Sequence, residues 1–92
     1  LIRMESTSQI KNLDVYPNPS RDIFNIRFVS EKIQELSIKV LNVYGELVFE
    51  ENIGKFIGEF TKSLDLSMSP KGIYILEIKN DDNFISKKIV IQ

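Results

Sequence analysis

The sequence predicts an all-β domain, an antiparallel sandwich of seven short strands. Seven stretches rich in β-branched and aromatic residues follow one another at short intervals, with turn residues between them. No stretch shows the apolar period of 3.6 residues that is typical of a helix. A chain of 92 residues can bury somewhat over ~60% of its unfolded surface. That is enough for one core and too little for a deep catalytic cleft.

The composition excludes several classes of function. The chain has no Cys and no His, which removes thiol and imidazole chemistry, disulfides and the usual ligands of transition metals. Its 12 basic and 13 acidic residues are scattered, whereas nucleic-acid-binding domains usually carry a basic face. No apolar stretch approaches the roughly 20 residues that span a bilayer. We therefore expect no cofactor, no metal, no nucleic-acid partner and no direct insertion into a membrane.

The beginning of the chain predicts a linker followed by a first strand. Residues 1–10 are mostly polar and do not begin with Met, so we expect them to join this domain to an upstream one. The folded unit is then expected at residues 11–92. Its first strand ends at a proline-rich motif, Tyr16, Pro17, Asn18 and Pro19. Because proline fixes φ and cannot donate to a ladder, this motif is predicted to set the exit from the strand.

Apolar rows of period two predict the strands in the middle of the chain. The clearest rows are Phe24, Ile26 and Phe28, and Leu36, Ile38 and Val40. Between these rows, Ser30–Glu35 is predicted to be a polar connection. Gly45 predicts a tight turn, after which Leu47 and Phe49 should face the core. The two glycines within Asn52–Gly58 predict a loop.

The segment Gly72–Lys79 predicts a central strand, because it is apolar on both faces. Pro70 and Gly72 mark the turn before it, since proline presets φ and glycine permits a positive φ. Tyr74 follows Pro70 as in the tyrosine corner of Greek-key sandwiches, where the hydroxyl bonds the backbone a few residues upstream. We interpret Tyr74 as a structural clamp. Asn80–Asn83 then predicts a hairpin turn into the last strand.

Three motifs occur in a fixed order along the chain. They are Tyr16–Pro19, the segment Leu41–Val48 around Gly45, and the Pro70–Tyr74 motif with the terminal Lys87–Gln92. Together they resemble the C-terminal sorting domain, type A, of the Bacteroidota type IX (Por) secretion system. The resemblance covers roughly residues 13–92. One departure is Glu46, which stands where a basic residue is common in that family.

The resemblance implies a non-catalytic sorting signal with an immunoglobulin-like, Greek-key fold of seven strands. Such domains direct a cargo protein through the periplasm to an outer-membrane translocon, and a cell-surface sortase usually removes them. The implied partners are the type IX translocon and its shuttle proteins, the sortase and an upstream cargo domain. The implied location is the periplasm in transit, and then the outer-membrane surface or the extracellular space.

The resemblance also assigns recognition by the export machinery to residues of the last strand, Lys87, Lys88, Ile89, Val90 and Ile91. It gives Tyr16–Pro19 and Gly45 mainly structural roles. From the residues alone, the two lysines could equally be gatekeepers that keep an apolar strand from aggregating. They require either a bulge or an edge strand, because adjacent residues point to opposite faces. A last strand that ends in Ile89–Ile91 could pair its free backbone groups with a partner's sheet, and the lysines would set the register by charge.

Other functions remain as alternatives. The main one is an accessory module of a secreted enzyme that binds carbohydrate or protein. An exposed row of aromatic side chains would favour that module, but the strand aromatics fall on rows predicted to be buried. Asp81 and Asp82 have oxygen ligands suited to Ca²⁺, although a solvated hairpin tip is the favoured interpretation. A hydrolase is disfavoured because paired carboxylates would need a cleft.

Overall fold

The computed structural model describes residues 10–92 and contains five β-strands. They are β1 (Ile10–Tyr16), β2 (Ile23–Asn42), β3 (Leu47–Asp65), β4 (Gly72–Lys79) and β5 (Phe84–Ile91). Every pair of these strands is antiparallel, which confirms the predicted all-β class. The predicted linker lies outside the described residues except for Ile10, which begins β1. Residues 10–92 contain no helix long and apolar enough to cross a membrane.

The long strand β2 is the centre of the sheet. One of its edges pairs with β3 over nearly its whole length. The other edge is shared, since β1 pairs with residues 25–30 of β2 and β4 pairs with residues 37–42. The opposite edge of β4 pairs with β5, which gives the order β1-β2-β4-β5 with β3 beside β2. β4 is therefore a central strand, as its apolar faces predict.

Residues 10–92 form five strands and not seven, because two pairs of predicted strands are continuous. Ser30–Glu35, predicted as a connection, lies within β2, and Asn52–Gly58, predicted as a loop, lies within β3. Both segments hold register shifts of the β2–β3 ladder. Gly54 and Gly58 have φ values of 83° and 106°, so the chain passes through these irregularities without ending the strand. The immunoglobulin-like Greek-key topology is not confirmed.

One hydrophobic core collects side chains from all five strands and from the segment after β3. The buried apolar residues are Ile10, Val15, Phe24, Ile26, Phe28, Leu36, Ile38, Val40, Leu64, Leu66, Tyr74, Leu76, Ile78, Ile89 and Ile91. Both predicted rows of β2 are among them, which confirms those rows. They lie on either side of the first register shift, so the two halves of β2 face the same core.

Near the turn into β3, one apolar side chain faces away from its predicted side. Leu47 is 49% exposed, whereas Phe49 is partly buried and packs against the core. The ladder shifts register here, so that Phe49 lies opposite Val40 and Leu47 lies opposite Leu41. Since Val40 and Leu41 point to opposite faces of β2, the extra residue in β3 turns Leu47 outward.

The turn before β4 contains the contact of a tyrosine corner. The Tyr74 hydroxyl donates to the carbonyl oxygen of Pro70, four residues upstream, and the Tyr74 ring is buried in the core. We expect Tyr74→Phe to lower the free energy of unfolding by about 1 kcal/mol, because it removes this hydrogen bond and keeps the ring. Urea denaturation measures the difference. Tyr44→Phe is the control, since Tyr44 is 85% exposed, and equal losses in both variants would contradict a stabilising role.

Candidate functional site

The last strand, β5, carries the predicted recognition residues and lies at the edge of the sheet. It pairs with β4 in an unbroken register from Phe84 to Ile91, without a bulge. Of the two arrangements that the sequence leaves open for adjacent lysines, the structure therefore has the edge strand.

Lys87 and Lys88 are both exposed and point to opposite faces of β5. Lys87 shares its face with Ile89 and Ile91, which are 0% and 3% exposed in the core. Lys88 shares the outer face with the half-buried Val90. Within residues 10–92, no carboxylate lies within ion-pair distance of either lysine. This part of β5 therefore presents one positive charge on each face of the sheet's edge.

The proline-rich motif reaches across the fold to the outer edge of β5. The Asn18 side chain donates from Nδ2 to the carbonyl oxygen of Lys88 (2.9 Å) and accepts at Oδ1 from the N–H of Val90 (3.1 Å). The backbone of Ser20 continues the contact. Its N–H donates to the Val90 carbonyl (3.0 Å), and its carbonyl accepts from the N–H of Gln92 (2.8 Å). We call Asn18 and Ser20 the edge clamp.

Local structure holds the edge clamp in place. Both prolines of the motif follow cis peptide bonds, Tyr16–Pro17 and Asn18–Pro19. The Tyr16 carbonyl accepts from Asn25 Nδ2 (3.1 Å), which ties the motif to β2. Ser20 is buried, and its hydroxyl donates to the carbonyl of Ile23 (2.6 Å) at the start of that strand. The motif is thus anchored on β2 while its polar groups face β5.

The edge clamp divides the outer edge of β5 into two parts. In an antiparallel strand, the backbone groups of alternate residues point to the same side. The N–H and C=O of Val90 point outward to the clamp, so the backbone groups of Ile89 and Ile91 point inward and bond with β4. Within residues 10–92, Ile89–Ile91 therefore have no free outward backbone group, and pairing of β5 with a partner's sheet stays a prediction for the rest of the strand. Among the described residues 10–92, the outward groups without a partner belong to Phe84, Ser86 and the N–H of Lys88, and we call Phe84–Lys88 the open edge.

The other motif residues lie near the same end of the molecule. Lys71 Nζ donates to the carbonyl oxygen of Gln92 (2.7 Å), which places the corner before β4 beside the end of β5. The Gly45 turn lies on the other side of that corner. Segments 42–44 and 70–74 line a shallow cavity of about 190 Å³ between them. The structure thus brings together three motifs that are widely separated in the sequence.

The Gly45 turn shows how the chain accommodates the residue that departs from the family pattern. Gly45 has φ of 81° and donates its N–H to the Asn42 carbonyl (3.0 Å). Asn42 Oδ1 accepts from the N–H groups of Tyr44 (2.9 Å) and Glu46 (3.0 Å). Asn42 Nδ2 then donates to the Glu46 carboxylate (2.8 Å). The acidic side chain at position 46 therefore has a hydrogen-bond partner within its own turn.

The acidic residues between positions 10 and 92 form no metal-binding group. Asp81 and Asp82 lie exposed in the predicted hairpin turn, where Asn80 Oδ1 accepts from the N–H groups of Asp82 and Asn83. In the described part of the chain, no group of three or more acidic residues could hold an ion. The N–H of Ser67 hydrogen-bonds the Asp65 carboxylate and lowers its pKa, which reflects a turn after β3 and not a site.

The aromatic side chains predicted to be buried do not form an exposed row. Phe24 and Phe28 are fully buried, and Phe49 and Phe60 pack partly buried against the core. The Phe56 ring also packs there and meets Phe60 edge-on, with ring centroids 5.6 Å apart. These rings fill the core and offer no platform for stacking sugars, the feature that would favour an accessory binding module.

The sequence reveals only part of this site. The edge position of β5 is consistent with its adjacent lysines, which are unfavourable in a strand buried on both faces. The sequence did not predict the edge clamp, because an Asn between two prolines indicates only a local turn. Nothing local to Asn18 indicates that it bonds residues 70 and 72 positions further along the chain.

Comparison with known proteins agrees with the ordered motifs. A family model described as the secretion system C-terminal sorting domain matches residues 14–92, which include the proline-rich motif, the Gly45 turn, β4 and β5. No curated protein matches the chain. The family is one of sorting signals and is not an enzyme family. The chain therefore belongs to the secretion system C-terminal sorting domain family, and it is a sorting signal for type IX secretion.

Proposed function

We propose that the domain sorts its cargo by presenting β5, with Lys87 and Lys88, to proteins of the type IX translocon and to shuttle proteins. The observation that carries the proposal is the position of β5 at the edge of the sheet, with an exposed lysine on each face. A sorting signal of this family implies export to the cell surface or the extracellular space. We infer in addition that the cargo passes through the periplasm and that β5 is recognised in the periplasm.

A docking role explains more of the arrangement than a gatekeeper role does. One charge on the core-facing side of an edge strand is enough to discourage pairing with another chain, and Lys87 supplies it. The edge clamp already covers the part of β5 beyond Lys88. Lys88 lies on the outer face, where it adds little to the protection of the edge by Lys87 and by the edge clamp. A second exposed cation at this place favours a partner that meets both faces of β5.

The same proposal assigns roles to the remaining parts of the chain. We infer that residues 1–10 link the domain to an upstream cargo, and that a cell-surface sortase cuts at or before this linker. The domain has no catalytic role in this scheme. We also infer that the two halves of the sheet are the layers of an immunoglobulin-like sandwich. Their shared core and the Tyr74–Pro70 contact support that inference.

The test of the docking role is export of a fluorescent protein that carries a periplasmic export signal and residues 1–92 at its C-terminus. In a Bacteroidota host with type IX secretion, we expect fluorescence outside the cell. Lys87→Ala/Lys88→Ala should lower it by about tenfold or more, because two charge contacts of ~1 kcal/mol each exceed the 1.4 kcal/mol of a tenfold affinity change. The missing fluorescence should accumulate in the periplasm.

The matched control for this experiment is Lys32→Ala/Lys55→Ala. It removes the same charge from two exposed lysines of β2 and β3, which lie outside β5 but beside the turn that precedes it. We expect normal export from this variant and an unchanged melting temperature for both. Normal export of the Lys87/Lys88 variant would refute the docking role, and an equal loss in both variants would show that only total charge matters.

A further inference from the structure

We propose that a partner protein adds a short acidic strand to the open edge, Phe84–Lys88, and that the edge clamp sets where this strand must stop. This inference rests on the docking role proposed above and specifies the site and the chemistry of the partner. It moves the contact away from the apolar end of β5 to the half of the strand nearer the hairpin turn.

The open edge has the backbone groups that strand addition requires. The N–H and C=O of Phe84 and of Ser86, and the N–H of Lys88, point away from β4 by the alternation that Val90 establishes. Within residues 10–92, none of these groups has a hydrogen-bond partner. Phe84 and Ser86 are exposed, so a second strand can reach them. Such added strands gain affinity from main-chain bonds and specificity from alternate side chains.

Beyond Lys88 the same edge is closed. Asn18 and Ser20 already bond the carbonyl of Lys88, both backbone groups of Val90 and the N–H of Gln92. A partner strand that continued along β5 would have to occupy the position of the Asn18 side chain. The prolines on either side of Asn18 have no N–H to offer, so the clamp does not extend the edge itself. The added strand is therefore short, and its end is fixed at Lys88.

The charge of the open edge indicates an acidic partner. In an antiparallel pair, the Cβ atoms of directly opposite residues lie about 4.5–5.5 Å apart on the same face, where opposite charges attract and like charges repel. Lys87 faces one side and Lys88 the other, so a partner strand meets a cation on both faces. Carboxylates at neighbouring positions of that strand would satisfy both. Phe84, 42% exposed on the outer face, adds an apolar contact.

A second copy of the chain fits the open edge less well. Antiparallel pairing of two β5 strands centred on Ser86 would place Lys87 opposite Ile85 and Lys88 opposite Phe84 of the other copy. Centring the pair on Lys87 would place Lys87 of one copy opposite Lys87 of the other, and this repulsion is unfavourable. Neither register brings a carboxylate to the lysines.

Substitution of Ser86 by proline tests the backbone contact. The N–H of Ser86 points outward and is not part of the β4–β5 ladder, so Ser86→Pro removes a donor from the open edge without breaking that ladder. Ser86→Ala removes the hydroxyl and keeps the N–H. With the fluorescent fusion described above, we expect Ser86→Ala to be exported more than Ser86→Pro, because it keeps the backbone donor. We expect Ser86→Pro to lose about tenfold or more, the effect of ~1.4 kcal/mol in binding.

Charge reversal tests the chemistry of the partner. Lys87→Glu/Lys88→Glu should be exported less than the double alanine variant, because it adds repulsion to the loss of attraction. Lys87→Arg/Lys88→Arg keeps both charges and should be exported more than the double alanine variant. Export of the double glutamate variant at or above the level of the alanine variant would overturn an acidic partner.

The remaining outcomes separate this inference from the docking role. Normal export of a folded Ser86→Pro variant, together with lost export of the Lys87/Lys88 variant, would overturn strand addition alone. Normal export of both would overturn both. If Ser86→Pro unfolds in a thermal melt, Phe84→Pro against Phe84→Ala repeats the test at the first residue of β5. A wild-type dimer in light scattering that Ser86→Pro dissociates would overturn the acidic partner in favour of a second copy.

Discussion

Phe28→Ala is expected to lower the free energy of unfolding by about 3–5 kcal/mol, the usual cost of removing a buried aromatic side chain. Phe28 is 0% exposed and lies in the half of β2 that pairs with both β1 and β3. Its ring stacks on Phe60, with centroids 5.0 Å apart and planes 24° apart. The substitution therefore removes transfer free energy and leaves a cavity between strands that cannot close without breaking their ladders.

The measurement is thermal or urea unfolding of the 92-residue chain. For a domain of this size each kcal/mol shifts the melting temperature by roughly 4–8 °C, so the variant should melt well over ten degrees lower. Tyr44→Ala removes an aromatic ring that is 85% exposed, and we expect it to change stability by less than about 0.5 kcal/mol. Similar losses in the two variants would contradict the assignment of Phe28 to the core.

Asn18→Ala is expected to lower the free energy of unfolding by about 1–3 kcal/mol, since two hydrogen bonds of about 0.5–1.5 kcal/mol each are lost. It should also release one particular amide. The Val90 N–H donates to Asn18 Oδ1, so its hydrogen exchange should become faster in the variant. The Gln92 N–H donates to the backbone of Ser20, so its exchange should change less.

Gln34→Ala is the matched control for this prediction. Gln34 also has two side-chain hydrogen bonds, with the Ser30 hydroxyl and with Asn80 Nδ2, and neither involves β5 or the residues that anchor the edge clamp. This variant should lose comparable stability and leave the Val90 amide protected. Unchanged protection of Val90 in Asn18→Ala, measured by NMR, would mean that the edge clamp does not cover β5 in solution.

The edge clamp gives a physical reason for motifs that occur far apart in one sequence. The edge clamp and residues 88–92 share four hydrogen bonds, and Lys71 adds one from the corner before β4. A change at the first motif therefore acts on the edge of the last strand. Since the edge clamp also sets where the proposed partner strand stops, substitutions at Asn18 are expected to change both the exposure of β5 and export.

The sequence by itself determined what depends on near neighbours. Alternating apolar residues predicted the buried rows of β2, because the period of two is a property of the extended chain. Proline, glycine and asparagine predicted the turns at Gly45 and Asn80–Asn83, because these residues select local backbone conformations. The ordered motifs identified the family, and the apolar content of β4 predicted its central position.

Only the tertiary structure decided what depends on distant pairing. Two segments of glycine and polar residues that were predicted as connections lie inside β2 and β3, where the ladder shifts register. Pairing with the neighbouring strand supplies the hydrogen bonds that a loop would make with water. The side to which Leu47 points followed from such a shift. The closed and open parts of the β5 edge depended on Asn18, whose two partners lie 70 and 72 residues away. Local composition contains no information about a contact between residues so far apart in the chain. The outer edge of β5 is accessible only in the part that Asn18 does not cover.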